Sequence, residues 1–151
     1  MKSGGKKTLN RHIKSFNQII MTDCIFCKII KGEIPSVKIY EDDRLLAFLD
    51  INPVNPGHTL IIPKEHFQMM HDTPDDLMCA VFKKAKELMV QIKKALEADF
   101  VAVSVTGTDV PHFHVHLIPR YFNDGMANFW PIKKYEDGQM QKIAETIKNK
   151  N

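Results

Sequence analysis

The chain has 151 residues, 44% hydrophobic and 26% charged, which is the size of one ordinary domain with enough apolar content for a core. No apolar run is long enough to span a membrane as a helix. The net charge of +3 at pH 7 comes from the start of the chain: residues 1–20 hold Lys2, Lys6, Lys7, Arg11 and Lys14 and no acid, leaving 16 basic and 18 acidic residues elsewhere. The body is therefore not a basic nucleic-acid surface.

Residues 1–20 read as a separable basic extension, and residues 21–151 as the domain with a C-terminal helix. Leu9, Ile13, Phe16 and Ile20 fall at helical spacing, which admits an organelle-targeting segment beside the reading of a plain upstream arm. Three cysteines, two of them in Cys24-x-x-Cys27, argue against a disulfide framework and for a reducing, cytoplasmic compartment. Cys24-x-x-Cys27 itself reads either as half a zinc site or as a redox pair, and the βαβ context that a redox pair wants is missing.

A short helical turn is expected from Cys24 to Lys31, stopped by Gly32 and Ile34-Pro35. Val37 to Tyr40, Leu45 to Asp50 and Thr59 to Pro63 read as strands, separated by the Glu41-Asp42-Asp43 turn and the loop from Asn52 to Gly57. Thr73-Pro74-Asp75-Asp76 opens a long helix with a capping hydroxyl, a proline and acids that suit the helix dipole. Its apolar stripe is Leu77, Met78, Val81, Phe82, Ala85, Leu88, Met89, Ile92 and Leu96, at a 3.6-residue period. Cys79 is a packed or merely tolerated thiol.

Phe100 to Val105 and His112 to Pro119 complete a sheet of about five strands. Phe129-Trp130-Pro131 and a polar helix near Gly138 to Lys148 follow. Strands close in sequence, with one helical crossover, indicate an α+β domain with a mainly antiparallel sheet, one long helix and one or two short ones.

The last of these strands carries the strongest chemical signal. In His112-Phe113-His114-Val115-His116, alternation sends Phe113, Val115 and Leu117 to a core and the three imidazoles to the other face. Three imidazoles in a row can hold a metal with an open position, or can act as a nucleophile with hydrogen-bonding partners on a phosphate or acyl group.

Pro111 to Arg120 resembles the signature of the histidine triad family, in which His alternates with apolar residues. Cys24-Ile25-Phe26-Cys27, Glu33-Ile34-Pro35, Tyr40-Glu41-Asp42-Asp43, Ala47 to Pro53 and Pro56 to His66 occur in that family's order, so the resemblance covers about Cys24 to Arg120. It is closest to the purine nucleoside phosphoramidase branch. It implies a homodimer that pairs two sheets, and a purine nucleotide or nucleotide conjugate as substrate, with neither nucleic acid nor membrane as partner.

The residue roles come with the resemblance. His114 matches the nucleophile that forms a nucleotidyl-histidine, while His116 and His58 match donors to phosphate oxygens. Asp50 is either a turn cap or the acceptor for a ribose diol. Phe26, Ile29, Phe48 and Ile51 would wall the base, and Gly107, Thr108 and Asp109 align with phosphate-contacting positions. The loop before the triad, Ser104 to Val110, is shorter than usual by several residues and lacks a clear equivalent of the family's Asn. Cys24, Cys27, His66 and His112 match the ligands of a structural Zn2+ in metal-bearing members. The implied activity is cleavage of a P–N or P–O bond at the α-phosphate, with a dinucleoside polyphosphate hydrolase, a nucleotide-sensing dimer and a catalytic zinc triad as alternatives.

Overall fold

A computed structural model describes residues 23–126 and 133–149. The basic extension and Phe129-Trp130-Pro131 lie outside the described residues. Helix α1 (Ile25–Ile30) precedes strands β1 (Lys38–Glu41), β2 (Leu45–Leu49) and β3 (Thr59–Pro63). A 3-10 turn (Met70–Asp72), the long helix α2 (Asp75–Ala95), strands β4 (Phe100–Ser104) and β5 (Val115–Arg120) and helix α3 (Gln139–Lys148) follow. The five strands form one antiparallel sheet in the order β1-β2-β3-β5-β4. This is the α+β architecture expected from the strand spacing.

Both faces of the sheet are covered, and the period of two decides which residue serves which face. Leu45, Ala47, Ile61, Phe113, Val115 and Leu117 pack against Leu77, Val81, Ala85, Leu88 and Ile92 of α2. The alternate residues Leu46, Phe48, Leu60 and Ile62 pack against Cys24, Phe26, Cys27 and Ile29 around α1. Burying a core side chain of this size contributes about 1.5–3 kcal/mol, so the two clusters dominate the folding energy.

Two expectations are corrected. Thr73 does not cap α2: its hydroxyl donates back to the Met69 carbonyl at 3.1 Å, and the helix begins at Asp75 with Pro74 in the capping position. Strand β5 begins at Val115 rather than His112, because the Phe113 N–H donates to the Phe67 carbonyl at 2.6 Å, outside the ladder. The alternation of faces still runs through residues 112–117. Leu96 ends up partly exposed just beyond α2.

Candidate functional site

The β2–β3 hairpin presents Asp50 and His58 at its two ends, closed by the Asp50 N–H donating to the His58 carbonyl at 2.9 Å. Gly57 has φ +92°, and a Cβ there would lie 2.2 Å from Leu96 Cδ1. Only glycine lets this loop press against the end of α2 and aim His58 inward. On the neighbouring strand, His116 stands opposite Leu60 of β3 and Ser104 of β4.

Backbone partners fix the tautomers of three imidazoles, and one of these fixes a fourth. The Val54 N–H donates to His58 Nδ1 at 3.2 Å. His58 Nε2 therefore carries the proton and donates to His116 Nδ1 at 2.9 Å, so the proton of neutral His116 sits on Nε2, 3.4 Å from Thr106 Oγ1. His114 Nδ1 lies 2.6 Å from the His112 carbonyl and must donate to it, which leaves His114 Nε2 with a lone pair. His112 Nε2 donates to the Pro63 carbonyl at 2.8 Å, which leaves its Nδ1 free to act as a ligand.

Burial holds His58 and His116 below the ordinary histidine pKa; His116, further opposed by His114 and His58, falls to about 4. Both rings are neutral at physiological pH.

A concavity of about 480 Å³ collects His114, His116, His58 and Asp50 with Phe26 and Ile51. Asp50 caps the turn, its Oδ1 accepting from the Asn52 N–H at 2.9 Å, while Oδ2 lies 3.6 Å from His58 Nδ1 and the residue lines the concavity. Ile51 is 87% exposed, yet it stands at the rim. Ile29 and Phe48 do not line the space. They are buried behind it, Phe48 with its ring 5.5 Å from and edge-on to Phe26.

Asp109 lines the concavity, Gly107 lines a smaller neighbouring one, and Thr108 lines neither. Thr106, Ile25 and Val54 line the larger space and were not singled out in the sequence. Thr106 belongs to the shortened loop, where no matching motif position pointed to it.

His112 faces away from this concavity. Its Nδ1 lies 3.5 Å from Cys24 Sγ, 3.6 Å from Cys27 Sγ and 3.2 Å from His66 Nδ1, and Cys27 Sγ lies 3.3 Å from His66 Nδ1. Zn–N and Zn–S bonds of about 2.0 and 2.3 Å place tetrahedral ligand atoms about 3.3–3.8 Å apart. The four donors fit a closed tetrahedral cation. Burial and the Cys24 sulfur push the Cys27 thiol up to about 12, so a cation is what would make this sulfur a thiolate. His66 Nε2 is buried with no hydrogen-bond partner among the described residues, consistent with a ring oriented by its other nitrogen. Among the described residues His112 converges with Cys24, Cys27 and His66, His116 with Asp50 and His58, and His114 with neither set, which removes the catalytic zinc triad.

The HIT domain family model matches residues 31–123. Adenosine 5'-monophosphoramidase of Saccharomyces cerevisiae is 39% identical over 130 residues, covering 82% of this chain and 80% of that one. The crystal structure of a HIT family member from Bacillus subtilis superposes with a TM-score of 0.75 at 37% identity, covering 85% of this chain and 97% of the other. A Zn-bound histidine triad family protein from Mycobacterium smegmatis gives 0.68 at 27% identity, covering 87% and 99%.

Proposed function

The chain belongs to the HIT domain family, and from that premise we propose that it cleaves a P–N or P–O bond at the α-phosphate of nucleoside phosphoramidates or related nucleotide conjugates. At its coarsest the reading is a histidine triad hydrolase, supported by relatives named adenosine 5'-monophosphoramidase and adenylylsulfatase. The observation that carries the finer reading is the 2.6 Å bond from His114 Nδ1 to the His112 carbonyl. In the neutral ring it leaves the Nε2 lone pair free at the wall of the concavity, with a carboxylate, Asp50, in the same space.

In this reading the His114 Nε2 lone pair forms a bond to the α-phosphorus. The P–N bond of the substrate breaks, and its electron pair leaves on nitrogen, which takes a proton from solvent and departs as an amine. Water then adds to phosphorus, the bond to His114 breaks, and a proton returns to solvent with the nucleoside monophosphate. His116 Nε2–H, held by the His58 relay, donates to a non-bridging oxygen as charge accumulates there. His58 acts through His116, and Asp109 and Gly107 flank the phosphate.

Asp50 accepts from the ribose diol, and Phe26 and Ile51 face the base, backed by Ile29 and Phe48. Zinc on Cys24, Cys27, His66 and His112 would supply a structural crosslink. Residues 1–20 stand outside this chemistry, since every motif begins at Cys24.

A dinucleoside polyphosphate is the poorer substrate. Among the described residues lining the concavity there is no lysine or arginine, while Asp50 and Asp109 are both present. Additional phosphates would meet no fixed countercharge. The test is turnover of adenosine 5'-phosphoramidate followed by intact-protein mass: wild type is expected to show a nucleotidyl adduct, and His114→Ala to lose kcat by on the order of 10³-fold or more. Near-normal kcat in that variant would sink the mechanism.

A further inference from the structure

His114 borders two concavities. The second, about 250 Å³, is walled by Gln68, Met69, Met70 and His71 from the segment after β3, with Val105, Gly107 and Phe113; among the described residues only His114 and Thr106 border both spaces. A substrate that reacts at His114 has three parts: a nucleoside, the phosphorus and a leaving group. The larger space contains the groups suited to the nucleoside. The phosphorus must lie at His114, and therefore at the wall the two spaces share.

We propose that the smaller concavity is a subsite for the substituent carried by the leaving group, and that it selects uncharged, apolar or aromatic amines. This rests on the phosphoramidase reading above. In-line attack puts the leaving atom on the side of phosphorus away from His114. A one-atom leaving group therefore cannot reach the second space, whereas a substituent of a few bonds can turn over Thr106 and Gly107 into it.

The lining sets the chemistry. Met69, Met70 and Val105 present exposed apolar side chains, while Phe113 lies buried at the inner wall. Methionine is a deformable, polarisable surface that packs well against aromatic groups. Gln68 and His71 are its polar side chains besides Thr106 and His114, and no Asp, Glu, Lys or Arg lines the space among the described residues, so a cationic substituent gains no countercharge there and loses water. Gly107, at φ +67°, keeps the wall thin: a Cβ would come within 3.1 Å of Met69 Sδ and force that thioether to move.

The test compares three adenosine 5'-phosphoramidates: the unsubstituted one, the 2-phenylethyl one and the cationic 2-aminoethyl one. The wild-type protein should show a kcat/KM for the phenylethyl compound about tenfold or more above that for the aminoethyl compound. Met69→Glu and, separately, Met70→Glu place a carboxylate in the space and should reverse that ratio. Because the readout is a ratio on one enzyme, any general loss of activity cancels.

A ratio near one in wild type, or a ratio unmoved by both substitutions while the unsubstituted compound is turned over, overturns the subsite and leaves the phosphoramidase reading standing. Failure to turn over any of the three overturns that reading, and the subsite with it.

Discussion

At the scale of single residues, the backbone decides what each imidazole can do. Val54 N–H, the His112 carbonyl and the Pro63 carbonyl assign the protons of His58, His114 and His112. None of the three partners is legible in the sequence, because a backbone partner leaves no residue-type signal. The alternation of His112 to His116 was legible, and so was the split of faces that follows from it. Burial of two of these rings makes stability depend on acid. His58 and His116 have folded pKa values below the unfolded value near 6.5, that of His116 about 4. The unfolded chain therefore takes up protons first, and stability that is complete at neutral pH is lost as the pH falls from about 6.5 toward 4. Melting temperatures measured across that range should fall more steeply for wild type than for His116→Gln, and parallel curves would contradict this. Asp50→Ala should weaken a ribonucleotide monophosphate by about tenfold or more, the scale of a lost hydrogen bond to a charged group, and its 2'-deoxy counterpart much less. Paired titrations decide between the ribose role and the turn cap, since loss of the cap alone would weaken both sugars equally.

At the scale of elements, the site is an assembly of loops brought together across long stretches of sequence. Cys24 at the N-cap of α1, Cys27 within it, His66 beyond β3 and His112 before β5 meet with donor atoms within 4.8 Å of one another. The residue types announced a zinc composition, but the meeting itself depends on β3 pairing with β5, which no local pattern shows. Locally strong signals could also mislead: Thr73-Pro74-Asp75 has the composition of a cap, yet the hydroxyl is turned toward Met69. A hydrogen-bonded crosslink lies on the opposite side of the site. Asp124 accepts from Arg120 Nε at 2.5 Å and from Asn55 Nδ2 at 3.1 Å, so the segment after β5 is tied to the loop that carries His58. The hydrogen bond from Arg120 holds the Asp124 carboxyl well below the usual carboxylate range. The metal reading predicts a separation of stability from chemistry. Cys24→Ser with Cys27→Ser should lose zinc by elemental analysis and melt on the order of 10 °C lower, while folded protein keeps a measurable fraction of kcat. Strict dependence of kcat on added zinc in folded protein would mean that the ion takes part in the reaction.

At the scale of the whole molecule, the two edges of the sheet differ in a way that bears on assembly. The β1 edge carries Lys38 and Glu41, paired at 2.7 Å, with Lys64 reaching Glu41 at 2.9 Å, and a charged edge discourages strand addition. Among the described residues the β4 edge carries no such guard: Phe100 is 39% exposed, Val103 43% and the nearby Phe122 85%, with the Phe100 and Phe122 rings 6.1 Å apart. An open strand flanked by aromatic and branched side chains is a template for pairing, and a second copy of the chain offers the same surface under a twofold axis, as an isologous interface requires. The homodimer implied by the family resemblance is therefore proposed to join β4 to β4, extending the two five-stranded sheets into one. Neither edge was distinguishable before the strand order was known, since Lys38 and Val103 each sit in an ordinary alternating strand. Val103→Glu in each copy would bring two carboxylates together across such an axis, where like charges oppose pairing. Light scattering with size-exclusion chromatography should find wild type at twice the chain mass and the variant at the monomer mass, with α-helical and β-sheet signals retained. A monomeric wild type, or a variant that remains dimeric at micromolar concentration, would place the interface elsewhere or remove it.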